Sequence, residues 1–264
     1  KVGCMVNKIK YEDWIRITII FLIIFISGTA ICSIEQFTKL RSITLIMLLI
    51  LLFYEFIKDT KFKRKNIFTF SLITVLFFLI LFLKAQNEAL GIMTKMLLFI
   101  FLVNYCCKRN NICRLFEIAY KFIVAISVSA LFFFIFLFVF KTDLPSFYVG
   151  NNFYKSYFCL FFTQSSYLVN IGGFSFYRLQ SIFWEPGVFS VYLLLALYYY
   201  YFLVDKKKLL QFTILTICLI LTLSTTGLIV GIGMFMIYIL KKMKSLKNKI
   251  LVVAPLSILA IPVI

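Results

Sequence analysis

The sequence predicts an all-α, polytopic helical membrane protein, and three observations predict it. Hydrophobic residues make up 63% of the 264 positions and the mean hydropathy is +1.02, against the 45–50% apolar content usual for soluble domains. The apolar residues fall in nine continuous runs bounded by charge and 14 to 23 residues long, against the roughly 20 a helix needs to cross about 30 Å of hydrocarbon, with the short second, seventh and eighth runs able to extend into their flanks. The runs do not alternate, so they read as helices rather than barrel strands. A soluble enzyme, a disordered tail and a nucleic-acid binder are excluded on composition.

Taken in order, the expected spans are Ile15–Ile34, Ser42–Ile57, Ile67–Leu83, Ala89–Cys106, Ile118–Phe140, Gly187–Val204, Leu209–Leu223, Gly227–Leu240 and Ile250–Ile264. The first is too long for a signal-peptide core and has no small-residue cleavage site, so it reads as a retained span. Met5 is an alternative start to Lys1, and Ile264 ends inside an apolar run, so more chain is expected beyond it. The simplest partition is one integral membrane domain over residues 1–264.

The net charge is +18, from 28 Lys and Arg against 10 Asp and Glu. Its distribution is topological. With the N-terminus inside, 21 of the basic residues fall on the inner side and 7 on the outer, a strong positive-inside bias facing anionic inner-leaflet lipids. Trp14, Trp184 and the Tyr198–Tyr201 run fall where interfacial aromatic belts are expected. There is no His, and the seven Cys form no C-x-x-C pair, which argues against a zinc site or a His-dependent triad.

Most connections are short, but residues 141–186 form a 46-residue outward-facing loop between spans five and six. It is rich in Tyr and Phe, and its apolar patch Tyr157–Val169 is too short to span, so it is expected to lie at the interface or re-enter the bilayer. The loop ends in the run Arg178 to Gly187, R-L-Q-S-I-F-W-E-P-G. Pro186 suits the first turn of a helix, which leaves Glu185 just outside it. A helix N-terminus stabilises an anion by about 0.3–1 kcal/mol, so Glu185 is expected to be ionised. One role for it is a helix-end acid paired with Arg178. The other is chemical: Arg178 offers a rigid fork of donors to a diphosphate, and Glu185 can take a proton from an attacking hydroxyl.

A second outward feature is the turn Leu221 to Gly231, L-T-L-S-T-T-G-L-I-V-G. Ser224, Thr225 and Thr226 can cap the eighth helix or donate to an anionic headgroup, and Gly227 with Gly231 forms a small-xxx-small packing face. Lys95 lies about 9 Å into the fourth span, either snorkelling outward or lining a polar cleft. Asp143 and Glu88 are weaker outer acids. No metal is expected, because Glu35, Glu88, Asp143 and Glu185 show no ligand spacing.

An Arg, a short gap, Phe-x-Glu-Pro-Gly entering a span, and about 40 residues later a Thr-x-Ser-Thr-Thr-Gly turn resemble bacterial O-antigen and capsular polysaccharide polymerases. The resemblance is clearest from Tyr177 to Gly233, with similar topology elsewhere, although the chain is shorter than the usual polymerase. It implies a bacterial inner-membrane glycosyltransferase that joins undecaprenyl-diphosphate-linked oligosaccharide repeats at the outer face, powered by the sugar–diphosphate bond, with no cofactor. It further implies that Arg178 holds the donor diphosphate with Lys155 or Lys95 assisting and Tyr177 beside it. Glu185 would orient Arg178 or act as base, and Ser224, Thr225 and Thr226 would support a headgroup. The expected partners are the lipid-linked oligosaccharide, membrane lipids, a chain-length regulator and a flippase, with no nucleic acid. The related ligases resemble a pattern with a functional His in the outer loop, which this chain lacks. A flippase or other transporter is the rival class, but transporters favour midplane polar groups and broken spans, whereas these polar groups cluster at one face.

Overall fold

Long apolar runs with charged ends close their backbone hydrogen bonds internally, and the chain does so over most of its length. The structure, a computed structural model, describes residues 11–33, 38–58, 75, 86–107, 111–140, 144–149, 152–157, 161–171, 173–204 and 208–243. These are mostly helical. The helices are α1 (Tyr11–Gly28), α2 (Ala30–Ser33), α3 (Thr38–Lys58), α4 (Gln86–Cys107), α5 (Asn111–Phe140), α6 (Pro186–Phe202), α7 (Leu209–Leu221) and α8 (Thr225–Lys242). They fall at the first, second and fourth to eighth expected spans. The third, apart from Val75, and the ninth lie outside the described residues.

Two stretches among the described residues are both long and apolar enough to cross a membrane: Ile112–Leu137 within α5, and α8. Helix α6 has 17 residues and α7 has 13, short of the roughly 20 that a straight crossing takes. The described residues thus form a mostly helical chain with two candidate spans, which is coarser than the nine spans expected.

The all-α expectation is corrected in the loop between α5 and α6. Strands β1 (Ser146–Val149), β2 (Asn152–Tyr157) and β3 (Phe161–Gln164) form an antiparallel sheet in that order. Strands β4 (Leu168–Ile171) and β5 (Phe174–Tyr177) form a hairpin whose turn holds Gly173 at φ 86, a conformation that costs glycine little. The patch Tyr157–Val169 belongs largely to this β structure. All four residues of β3 are buried, and a strand covered on both faces loses the alternation that marks a strand in sequence.

The chain divides into two compact units, residues 1–27 with 35–118 and residues 28–34 with 119–264. The core of the first is built from Ile15, Ile19 and Leu22 of α1, Leu48 and Leu52 of α3, Phe101 and Tyr105 of α4, and Leu115. Spacings of three, four and seven put each set on one helix face. At one end of this core Asp13 binds two arginines. Arg16 Nη1 donates to it at 2.8 Å and Arg114 Nη2 at 3.1 Å, while Arg114 Nη1 donates to Glu117 at 2.6 Å. The Arg114 guanidinium holds the Asp13 carboxyl down at about 2, against the upward push of burial and with help from Arg16.

In the second unit α6 packs on α7 and α8. Glycine makes these close approaches possible: a Cβ on Gly227 would lie 2.7 Å from Ser190 Cβ of α6, and one on Gly231 would lie 2.8 Å from Leu219 Cδ2 of α7. The small-xxx-small face expected of these glycines is therefore a packing face. Of the tyrosine run, only Tyr198 is exposed. Tyr199, Tyr200 and Tyr201 are buried, with Tyr201 stacked on Tyr238 at 4.9 Å, so most of that run is core rather than belt.

Candidate functional site

The segment from Arg178 to Trp184 is pinned on several sides by its own backbone. Arg178 N donates to Tyr167 O, Leu179 N to Leu221 O, and Trp184 N to Gly28 O. It also accepts, at Ser181 O from Phe162 N and at Ile182 O from Ala30 N. The break between α1 and α2 serves this arrangement. Thr29 forms an antiparallel bridge with Phe183, and a side chain at Gly28 would lie 2.8 Å from Phe183 Cδ1. Phe183 is fully buried and stacks on Phe189 and Tyr192 of α6. The loop–helix junction is therefore held rigidly, which is what a positioned charged group needs.

Arg178 reaches from this segment to the turn between α7 and α8. Its Nε donates to Thr222 O at 2.9 Å and its Nη2 to Leu223 O at 3.0 Å. Its Cζ lies 5.6 Å from the centre of the Tyr167 ring, within cation–π range. Nη1 makes no hydrogen bond among the described residues. The arginine is thus fixed by neutral carbonyls and an aromatic face, and it makes no ion pair among the described residues.

The turn it grips has a conformation uncommon for a side-chain-bearing residue. Leu223 has φ 47, and Ser181, three residues after Arg178, has φ 57. These are the two positive-φ residues other than glycine among those described. Left-handed backbone of this kind costs of order 1–3 kcal/mol and clusters at functional sites. Immediately after it, Ser224 caps α8, its Oγ accepting from Gly227 N at 3.3 Å. Ser224 Oγ lies 3.2 Å from Ser190 Oγ on α6, so the cap ties the two helices together. Thr225 and Thr226 are exposed in the first turn of α8, beside the partial positive charge of the helix N-terminus.

Glu185 occupies the N-cap position of α6 with extended backbone and makes no side-chain cap bond, and Pro186 follows at the first position, as the sequence led one to expect. The expected Arg178–Glu185 ion pair is not formed. Arg178 is turned towards the carbonyls of Thr222 and Leu223, and Glu185 faces tyrosines of the loop. Tyr154 and Tyr167 are both close enough to Glu185 to feel its negative charge. Burial, followed by that negative charge, pushes both phenols above their ordinary value, so they stay protonated donors.

Arg178, Glu185 and Ser224 are therefore gathered around Tyr167 and the Thr222–Leu223 turn. Tyr177 is half-buried on β5 opposite Leu168. Lys155 sits on β2 between Ser146 and Thr163, and the pleat turns it to the face opposite its neighbour Tyr154. Lys95 belongs to α4, but its side chain lies outside the described residues, as do Glu35, Asp143 and the side chain of Glu88. Among the described residues no group of three or more His, Cys, Asp or Glu is placed to hold a metal.

Sequence reasoning missed several residues of the site. Tyr154 and Tyr167 were two among many loop aromatics, and Ser190 had no motif. Gln180 and Ser181 are fully buried, and Gln180 Nε2, Gln180 Oε1 and Ser181 Oγ have no partner among the described residues. Their position inside the R-L-Q-S run was the available signal.

No protein-family model matches the chain, and comparison with curated proteins and with solved structures gives no match.

Proposed function

We propose that the chain is a multi-pass bacterial inner-membrane glycosyltransferase that polymerises undecaprenyl-diphosphate-linked oligosaccharide repeats at the outer face of the cytoplasmic membrane. The observation that carries this reading is Arg178, gripped by two backbone carbonyls of the α7–α8 turn, with neither a hydrogen bond at Nη1 nor an ion pair among the described residues. A fixed guanidinium held by neutral groups beside the N-terminus of α8 suits a diphosphate. Multi-pass insertion, with nine spans and the N-terminus inside, is supported by the two candidate spans, by the basic bias of one side, and by apolar side chains that stand exposed: Ile46, Ile50 and Phe53 on α3, and Ile229, Ile232 and Phe235 on α8.

In the proposed reaction a hydroxyl oxygen of the acceptor repeat attacks the anomeric carbon of the donor glycan. The bond from that carbon to the diphosphate oxygen breaks, and the leaving charge is stabilised by Arg178 and the first turn of α8. Glu185 accepts the proton from the attacking hydroxyl. No group beyond donor and acceptor is consumed. Membrane lipids, a flippase that delivers the acceptor and a regulator of chain length are the partners this reading implies.

The experiment is a surface-glycan length profile comparing a strain deleted for this protein with its complemented parent. Polymerisation predicts collapse of the ladder to a single repeat on deletion and its return on complementation. Loss of all surface glycan with lipid-linked polymer accumulating would assign ligation. Unpolymerised units held on the inner face would assign a flippase, and an unchanged ladder would sink the glycan reading.

A further inference from the structure

We infer that the end of the α6–α7–α8 bundle opposite Arg178 is a binding site for the phosphate of an anionic phospholipid, formed by Lys241 and Lys242 seated on the rings of Phe202 and Tyr238. Of the proposed function this needs membrane insertion alone, and it stands apart from the glycan chemistry.

The last turn of α6, the first turn of α7 and the last turns of α8 meet at one end. Tyr201 lies 5.9 Å from Phe212 and 4.9 Å from Tyr238, ring centre to ring centre. Helix α8 has 18 residues, so this end is about 27 Å from the turn that Arg178 grips. From Gly187 to Ile264 the sequence holds eight Lys, no Arg and one carboxylate, Asp205. All eight Lys fall at positions 206–208 and 241–249, between α6 and α7 or from the last turn of α8 onward.

A cluster of charge alone would describe any basic loop. What distinguishes this end is how two of its lysines are held. Lys241 Nζ lies 4.8 Å from the centre of the Phe202 ring and Lys242 Nζ 5.0 Å from that of Tyr238. The two rings are themselves edge to face at 6.4 Å. Both lysines are exposed, and neither makes an ion pair among the described residues. A ring face steadies an ammonium without neutralising it, and its N–H donors stay directed at an anion. Two such cations over adjacent rings suit the oxygens of one phosphate.

The apolar surface beside them assigns that phosphate to a lipid. Lys208 is exposed at the start of α7 and is followed by Leu209 and Leu210, 74% and 72% exposed. Leu203, at the end of α6, is exposed as well. Free phosphate leaves these leucines in water. A phospholipid covers them with its acyl chains while its headgroup meets the lysines. An anionic headgroup is favoured, whereas phosphatidylcholine brings a cation of its own, which the lysines repel.

The test titrates the purified full chain in detergent with phosphatidylglycerol or phosphatidylcholine and reads bound lipid by native mass spectrometry. Wild-type protein is expected to bind phosphatidylglycerol about tenfold more tightly than phosphatidylcholine. Lys241→Gln combined with Lys242→Gln is expected to weaken phosphatidylglycerol binding about tenfold or more. Lys247→Gln combined with Lys249→Gln removes the same charge and is expected to change it by no more than about threefold. Phe202→Leu keeps every charge and is expected to cost about threefold; the lysine pairs decide the matter if that variant does not fold. Equal losses from the two lysine pairs would mean a diffuse basic field and overturn the site. Displacement of the lipid by inorganic phosphate beyond that by potassium chloride of equal ionic strength would assign free phosphate and overturn the lipid. Wild-type protein that needs detergent yet binds both lipids alike overturns the inference alone. Protein that stays dissolved without detergent would remove membrane insertion, and the site with it.

Discussion

Arg114 in the first unit and Arg178 in the second are both half-buried, yet the chain treats their charges in opposite ways. Arg114 is enclosed by carboxylates, with Asp13 on one side and Glu117 at 2.6 Å on the other. Arg178 is held by two neutral carbonyls and a tyrosine ring. A cation whose charge is spent on carboxylates ties helices together. A cation held firmly by groups that leave its charge intact remains free to meet an anionic ligand. This contrast, rather than burial or charge alone, separates the scaffold arginine from the candidate site arginine.

The largest way to break the comparison is at Arg178. Arg178→Ala is expected to lower chain extension by about 10²-fold or more, and Arg178→Lys to fall nearly as far, because an ammonium cannot reproduce the two-carbonyl grip. Extension of a labelled lipid-linked repeat by purified protein measures both. Glu185→Gln, which keeps shape and loses basicity, is expected to cost about 10²-fold in kcat in the same assay. Normal polymer from either Arg178→Ala or Glu185→Gln would remove that residue from the mechanism.

Next comes the scaffold side. Asp13→Asn leaves Arg114 and Arg16 short of a partner and is expected to destabilise the protein by about 2–3 kcal/mol at neutral pH. The sign with pH follows from a folded-state value depressed to about 2. The stabilisation is complete above the unfolded carboxyl value near 4 and is lost as pH falls through about 2. Thermal unfolding in detergent between pH 6 and pH 2 should therefore show the gap between wild type and Asp13→Asn closing at the acid end. A gap independent of pH would show that the ion pair is not its source.

Smaller effects sharpen the picture. Gly227→Ala forces a Cβ against Ser190 and the Ser224 cap, with an expected cost of about 1–3 kcal/mol. Gln180→Leu removes a buried amide that has no partner, so stability is expected to rise by about 1 kcal/mol while activity drops, the trade that a strained site makes. Thr225→Ala is expected to change stability by no more than about 0.5 kcal/mol, since Thr225 is exposed and Ser224 supplies the cap.

Much of the helical framework was legible because continuous apolar runs and charged ends leave a helix little competition. The Ser224 cap, Pro186 at the start of α6 and the Gly227–Gly231 face were readable from local chemistry alone. The strands were not, because β3 is covered on both faces and reads as one more apolar run. Nor was the break at Gly28, which depends on Phe183 lying some 150 residues away and meeting it only in the fold. Arg178, Glu185 and Ser224 could be named from sequence, but their arrangement could not. The charge pairing that looked obvious for Arg178 lost to two backbone carbonyls, and Tyr167, whose ring lies beside Arg178, was indistinguishable from the other loop aromatics until the fold brought the two together.

The central claim is that Arg178, held by neutral groups, acts on an anionic ligand while Arg114 serves the scaffold. It is tested most directly by chain extension with purified wild-type, Arg178→Ala and Arg114→Ala proteins, each normalised to the folded fraction. Arg114→Ala is expected to yield less folded protein of near-normal specific activity, and Arg178→Ala folded protein that adds no repeats. A full-length ladder from Arg178→Ala, with Arg114→Ala folded and inactive, would contradict it.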